Sequence, residues 1–301
     1  MVKQTKRLII AIFLFLGTFG FAKVNTVVSV LPQQTFVKAI GGDKVNISLM
    51  VQPGNSPHTY EPKASQMKDI SKADVYFSIG VEFEEAWLPR FSDQNKKMRI
   101  VNIGEGIHKL AMAEHHHDTD EHEDEKHDEH GDEKHDEHED EGKDPHIWTS
   151  TTNVKAIAKN ILNTLVKLDI ENANYYKSNY EKFIQKINAT DKNIRKILSD
   201  VPKDSKFMVF HPAWGYFAKQ YGLTQLAIEA GGKNPKPKTI AYLIEEAKEE
   251  KVKAIFTAPE FSTKIAKQIA NELGIKVIKV SPLNPKWSQN LENLARAIAN
   301  R

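Results

Sequence analysis

The chain of 301 residues contains no cysteine. This absence excludes disulfide bonds, thiolate metal ligands and the attachment of a lipid through a cysteine. We therefore expect a protein without a lipid anchor. A metal site in such a chain has to be built from histidine and carboxylate side chains, which do not oxidise as thiols do.

Long apolar runs are also scarce. The longest extends from Leu8 to Phe21, which is shorter than the roughly 20 residues that a membrane-spanning helix needs. Three basic residues precede it within positions 3–7, and the small residues Gly20 and Ala22 lie at its end. We expect residues 1–22 to form a cleaved secretory signal peptide and the mature protein to be periplasmic. The alternative is a retained membrane anchor.

Acidic charge is concentrated in one segment. The net charge of the whole chain is only +2, but Glu114 to Glu141 holds 16 acidic residues and two lysines. The rest of the chain carries 40 basic and 24 acidic residues. Because these basic residues are scattered and form no stripe, we expect no nucleic-acid partner.

The same segment is rich in histidine. The motif DEKHDEH occurs twice, from Asp124 to His130 and from Asp132 to His138. With almost nothing apolar to bury, the segment is predicted to be a disordered loop whose imidazoles and carboxylates form accessory metal sites. An inert acidic linker is the alternative. Eight histidines belong to the segment: His115, His116, His117, His122, His127, His130, His135 and His138.

Four histidines lie elsewhere, and three of them occupy junctions between predicted elements. His58 lies in PGNSPHTYEP after a strand-like run, His146 in KDPHIW before a helical stretch, and His211 in FMVFHPAW after a buried strand. Open α/β sheets place ligands at such strand ends. The remaining one, His108, lacks this context and is predicted to lie in a surface loop.

One histidine at such a junction is usually just hydrogen-bonded in a core or a loop, but three of them indicate a shared metal site. Three imidazoles favour Zn²⁺ or Cu²⁺ over Mn²⁺ or Ca²⁺, which prefer oxygen ligands. Because each imidazole must be neutral to bind, metal binding is predicted to weaken below about pH 6.

Strand-like runs alternate with helical stretches in two parts of the chain. This pattern predicts two parallel α/β lobes, over residues 23–150 and 201–301. Residues 151–200 between them show helical periodicity with one break near residue 170, which predicts two connecting helices, the second long enough to be a rigid connector. Since two of the three histidines precede these helices and one follows them, the metal site is predicted to lie in the cleft between the lobes.

Six motifs spread over nearly the whole mature chain are specific in combination. They are FVKAIGGDKV (36–45), PHTYEP (57–62), ISKADVYFSIG (70–80), DPHIW (144–148), FHPAWGYFAKQYGL (210–223) and SPLNPKW (281–287). Together they resemble the metal-binding solute receptors of ABC transporters, in particular zinc receptors of the ZnuA type.

This resemblance implies two pseudo-symmetric α/β lobes joined by a long helix, with His58, His146 and His211 as the metal ligands. It implies a high-affinity receptor that captures Zn²⁺ as its transported ligand and delivers it to a membrane permease with a cytoplasmic ATPase. Manganese or iron receptors of the same family usually carry a carboxylate at the position of His211, so histidine there favours zinc. We expect the receptor to be a monomer.

The sequence does not identify the fourth ligand of the site. Ser281 stands where family members commonly carry an aspartate ligand, and Pro57 stands where some zinc receptors carry a glutamate. A water molecule, a histidine of residues 114–141, Glu61 and Glu260 are the candidates.

The sequence is also compatible with alternative functions. A manganese or iron receptor of the same family is one, and zinc buffering or adhesion without transport is another. A zinc-dependent hydrolase is a third, because three imidazoles and a water also form catalytic zinc sites. The chain contains no HExxH, GxSxG or P-loop pattern, so we expect no enzyme.

Overall fold

The computed structural model describes residues 23–112, 142–229 and 235–299. The predicted signal peptide, the histidine-rich segment 114–141 and its eight histidines lie outside these residues. Within the described ranges, no helix is both long enough and apolar enough to cross a membrane.

The first lobe is a four-stranded parallel sheet with the strand order β2-β1-β3-β4. Its strands are β1 (Val24–Val28), β2 (Val45–Leu49), β3 (Val75–Ser78) and β4 (Arg99–Asn102), and its helices are α1 (Leu31–Gly41), α2 (Ala64–Ile70) and α3 (Glu82–Gln94). The central strands β1 and β3 are almost completely buried, as expected for a parallel sheet that is covered on both faces.

The second lobe repeats this arrangement with the order β6-β5-β7-β8. Its strands are β5 (Ser205–Val209), β6 (Leu223–Ala227), β7 (Ala254–Thr257) and β8 (Lys276–Lys279). Its helices are α6 (Gly215–Tyr221), α7 (Pro237–Glu249), α8 (Lys264–Leu273) and α9 (Trp287–Ala299). The equal strand orders make the lobes pseudo-symmetric, as predicted.

Two consecutive helices connect the lobes. They are α4 (Thr151–Leu168) and the 25-residue α5 (Ala173–Ile197), separated by a short 3₁₀ turn at Ile170–Asn172. At about 1.5 Å per residue, α5 is roughly 37 Å long. Asp169 lies at the predicted break, where its carboxylate accepts hydrogen bonds from Asn172 Nδ2 at 2.7 Å and Tyr176 Oη at 2.6 Å.

The apolar core is continuous between the lobes. One cluster of buried side chains runs from the first sheet through α4 and α5 to one face of the second sheet and to α9. Helix α5 packs against α1 of the first lobe as well as against α4 and α9. A second, smaller cluster fills the space between the other face of the second sheet and helices α7 and α8. Because the lobes share a core, they are held in a defined relative position.

Two buried tryptophans link the lobes across this core. The indole N–H of Trp287 donates to the carbonyl of Trp148 at 2.7 Å, and that of Trp148 donates to the carbonyl of Pro282 at 2.9 Å. The Trp287 ring also meets Phe36 of α1 edge to face, with 5.5 Å between the ring centroids. Tryptophan suits this position because its apolar body fills the core while its N–H satisfies a buried carbonyl.

A buried polar network lies at the carboxyl ends of β1 and β3. The carboxylate of Glu84 accepts hydrogen bonds from the backbone N–H groups of Ile79 and Gly80 and from the hydroxyl of Ser29. Burial nevertheless raises the pKa of Glu84 to about 7, against the effect of these hydrogen bonds. The network fixes the start of α3, which also carries a residue of the site described below.

Replacing Trp287 by phenylalanine tests the link between the lobes. The substitution removes the N–H that satisfies the Trp148 carbonyl, so the free energy of unfolding should fall by about 1–3 kcal/mol. The measurement is urea denaturation in the presence of a chelator. Replacing Ile170, which is 71 % exposed, by alanine is the control and should change stability by less than about 0.5 kcal/mol. Equal stability of the two variants would contradict the proposed role of Trp287.

Replacing Glu84 by glutamine tests the pH dependence. Because the pKa of Glu84 is raised in the folded state, the folded protein binds more protons than the unfolded chain between about pH 4.5 and 7. This contribution is present below pH 4.5 and is lost as the pH rises through 7, at a cost of about 3 kcal/mol. The difference in the free energy of unfolding between the wild type and E84Q should therefore change by this amount between pH 4.5 and 8. Parallel pH profiles would show that Glu84 is already ionised in the folded protein.

Candidate metal centre

The three histidines predicted from the sequence lie together between the lobes. His58 is in the loop after β2, His146 is in the segment before α4, and His211 is two residues after β5. Both parallel sheets direct the carboxyl ends of their strands to this interface, which is where open α/β sheets place ligands. His108 is exposed, as predicted, and does not belong to the group.

The ligand atoms of the three imidazoles converge. His58 Nε2 is 3.0 Å from His211 Nε2, which is 3.3 Å from His146 Nε2. One ring nitrogen of each residue lies within 4.8 Å of those of the other two. Ligand nitrogens at about 2.0–2.1 Å from a tetrahedral Zn²⁺ are separated by roughly 3.3 Å. The spacing is therefore close to that of a zinc site.

His58 is held by the first lobe. Its Nδ1 lies 2.7 Å from a carboxylate oxygen of Glu82, the first residue of α3. Burial has the largest single effect on the pKa of Glu82 and tends to raise it. The hydrogen bond with His58, the charge interaction with that imidazole and smaller contributions together outweigh burial, so the pKa lies below its ordinary value. Because a carboxylate only accepts hydrogen bonds, Nδ1 carries the proton and Nε2 presents its lone pair.

His146 is held by a residue close to it in sequence. The Oδ1 atom of Asp144 lies 2.7 Å from His146 Nδ1 and accepts the backbone N–H of His146 at 2.8 Å. Both side chains are almost completely buried. Tyr216 of α6 donates its hydroxyl proton to the Asp144 carbonyl at 2.7 Å, which ties this segment to the second lobe. The geometry again leaves Nε2 of His146 free to accept.

His211 has the loosest support. Its Nδ1 lies 3.5 Å from a carboxylate oxygen of Glu229, which follows β6, and this separation is beyond an ordinary hydrogen bond. The imidazole stacks on Phe261, with 4.4 Å between ring centroids. Burial lowers the pKa of His211 to about 4, the nearby imidazoles add to this effect, and Glu229 opposes it. Proton competition at His211 is thus expected near pH 4, lower than the pH 6 that the sequence alone suggested.

The imidazoles open onto a narrow pocket with mainly apolar walls. Besides the three histidines it is lined by Pro57, Glu260, Phe261, Pro282 and Leu283. Among the candidates for a fourth ligand, Glu260 lies in this pocket, whereas Glu61 is exposed and does not line it. Ser281 is turned toward Glu260, and its hydroxyl donates to the Glu260 carboxylate at 3.0 Å.

The carboxylates behind the imidazoles were not predicted from the sequence. Glu82, Asp144 and Glu229 each face the Nδ1 atom of one histidine, an arrangement that orients metal-binding imidazoles and makes them better ligands. A signal was available for all three: Asp144 is two residues before His146, and Glu82 and Glu229 lie within four residues of the ends of strands whose carboxyl ends meet at the interface. Only the loop conformations decide which histidine each of them supports.

The sequence model of the family described as "Zinc-uptake complex component A periplasmic" (ZnuA) matches residues 26–301 of this chain. Among curated proteins, zinc-binding protein AdcA of Streptococcus pyogenes is 33 % identical over 270 residues. The alignment covers 87 % of this chain and 50 % of AdcA, so the chain spans about half the length of that relative. High-affinity zinc uptake system protein ZnuA of Bacillus subtilis is 33 % identical over 258 residues, with 84 % of this chain and 76 % of that protein covered.

Solved structures are similar over almost the whole fold. A crystal structure of ZnuA superimposes with a TM-score of 0.80 at 36 % identity, covering 92 % of this chain and 98 % of that one. A deletion mutant of ZnuA with zinc bound gives a TM-score of 0.79 at 36 % identity, covering 92 % of this chain and 97 % of the other.

Proposed function

The chain belongs to the ZnuA family of periplasmic zinc-uptake components, and on this premise we propose that it is the zinc-binding receptor of an ABC-type uptake system. It captures Zn²⁺ outside the inner membrane with His58, His146 and His211 and delivers the ion to a membrane permease that is driven by a cytoplasmic ATPase. The observation that carries the proposal is the convergence of three imidazoles, with His211 Nε2 at 3.0 Å from His58 Nε2 and 3.3 Å from His146 Nε2.

The donor set supports zinc as the transported ion. The close cluster in the described part of the chain consists of three imidazoles, and Mn²⁺ prefers carboxylate, carbonyl and water oxygens. Curated relatives named for zinc binding or zinc uptake point in the same direction. The family comprises uptake components, which speaks against the hydrolase alternative.

The remaining parts of the chain have proposed roles as well. Residues 1–22 direct secretion and are removed, so the mature receptor is periplasmic, and it acts as a monomer without a lipid anchor. The eight histidines of residues 114–141 gather Zn²⁺ near the cleft and raise its local concentration there. An antiparallel bridge joins Ala111 to Lys143, described residues on either side of this segment.

Calorimetric titration of residues 23–301 with Zn²⁺ tests the receptor proposal. We expect one tight site that is lost when His58, His146 and His211 are changed to alanine and is kept when residues 114–141 are deleted. The deletion should remove only weaker additional binding. Mn²⁺ in excess should fail to displace Zn²⁺ from the tight site, because imidazole ligands follow the Irving–Williams order. Tight binding by the triple variant, or equal affinity for Mn²⁺, would contradict the proposal.

Changing Asp144 to asparagine tests the support behind one imidazole. Asparagine has the same shape, but it lacks the charge that holds the proton on His146 Nδ1 and makes Nε2 a stronger donor, so zinc affinity should fall by about 10–100-fold. The matched control is Asp93→Asn, at an exposed aspartate on α3 that pairs with Lys96. Competition against a chromogenic chelator measures both. Affinities of the two variants that equal the wild type would exclude this role for Asp144.

A further inference from the structure

One carboxylate at the candidate metal centre is not engaged with any of the three imidazoles. Glu260 lies three residues after β7, at the edge of the second sheet that faces the interface, and it lines the pocket onto which the histidines open. Glu82 in the first lobe likewise lies within a few residues of the end of a strand. Both glutamates follow the third strand of their lobe, although only Glu82 contacts a histidine.

The carboxylate of Glu260 has little compensation for its charge. The Ser281 hydroxyl lies 3.0 Å and 3.2 Å from its two oxygens. In the described ranges, no lysine or arginine forms an ion pair with it. Burial among the apolar walls of the pocket raises the pKa of Glu260. A partly buried carboxylate that lacks a cationic partner is costly, and a cation in the pocket would remove this cost.

The three imidazoles leave the charge of a bound dication uncompensated in its first coordination shell. Zinc sites in proteins are almost always four-coordinate, with nitrogen, sulfur or carboxylate oxygen ligands. The carboxylates of Glu82, Asp144 and Glu229 face the Nδ1 atoms and therefore lie behind the rings. Glu260 is the one acidic residue among those that line the pocket, although its carboxylate is not part of the close cluster that the three histidines form. Ligation therefore requires its side chain to rotate toward the imidazoles.

Ser281 is poorly suited to be the ligand itself. A neutral hydroxyl is a weak zinc ligand, and the Ser281 oxygen already accepts the backbone N–H of Leu283 at 3.0 Å while donating to Glu260. These contacts orient the hydroxyl toward Glu260.

We infer that Glu260 supplies the fourth ligand of the zinc site and that Ser281 is a positioning residue for its carboxylate. The inference rests on the proposed zinc-receptor function and completes it. The site then has three imidazoles and one carboxylate, which lowers the net charge of the ion together with its ligands from +2 to +1.

The test compares Glu260→Gln with the wild type in the full mature chain, and in parallel after deletion of residues 114–141. Zinc affinity is measured by chelator competition, and Co²⁺ serves as a spectroscopic probe because its visible absorption reports the ligand set. We expect E260Q to bind Zn²⁺ at least about tenfold more weakly and to shift the Co²⁺ bands. Glu61→Gln removes an exposed glutamate outside the pocket and should leave affinity and spectrum unchanged.

Ser281→Ala separates positioning from ligation. It should weaken zinc binding less than E260Q does, keep the carboxylate-type Co²⁺ spectrum, and cause no further loss in the E260Q background. Thermal unfolding in chelator shows whether either variant is destabilised before metal is added, and a destabilised E260Q is replaced by Glu260→Asp, which keeps the charge and should retain more affinity.

The outcomes distinguish this inference from the receptor proposal. If His211→Ala abolishes binding while E260Q keeps wild-type affinity and the wild-type Co²⁺ spectrum, Glu260 is not a ligand and the three-imidazole site stands. If neither the histidine variant nor E260Q weakens zinc binding, both the site and the fourth ligand are wrong.

Discussion

The metal centre depends on the apolar core that the two lobes share. His58 and His146 belong to the first half of the chain and His211 to the second, so their ligand nitrogens stay within 4.8 Å of one another only if the lobes keep their relative position. Helix α5 packs on both lobes, and the hydrogen bonds of Trp148 and Trp287 cross between them. A connector of this kind restricts hinge motion. We therefore expect zinc binding to be accompanied by adjustments of loops and side chains and not by wide closure of the cleft.

The orientation of the imidazole lone pairs then favours a cation as the occupant of this site. With the protons of His58 and His146 held on Nδ1 by Glu82 and Asp144, their Nε2 lone pairs point at a common centre. Lone pairs at this separation repel one another unless a cation or a proton lies between them. Burial keeps His211 neutral to about pH 4, which disfavours the proton as the occupant. The low polarity of the pocket walls thus strengthens the preference for a metal ion.

The three histidines could be predicted from the sequence, but only some of the features around them could. His58, His146 and His211 were identifiable because each stands at a junction between elements, and strand ends of parallel sheets converge. The break between α4 and α5 was visible in the apolar periodicity. The contact of Glu82 with His58 was not, because it depends on how the loop around Pro57 rests on the start of α3. For the same reason the hydrogen bond between Ser281 and Glu260, which are 21 residues apart, needed the folded structure.

Anomalous diffraction from crystals grown with zinc, recorded on both sides of the zinc absorption edge, shows whether the three imidazoles hold the metal. It locates the ion without reference to affinity or to any variant. One strong peak is expected about 2.0–2.1 Å from the Nε2 atoms of His58, His146 and His211. A principal peak at any other place in the protein, with these three imidazoles free of metal, would contradict this expectation.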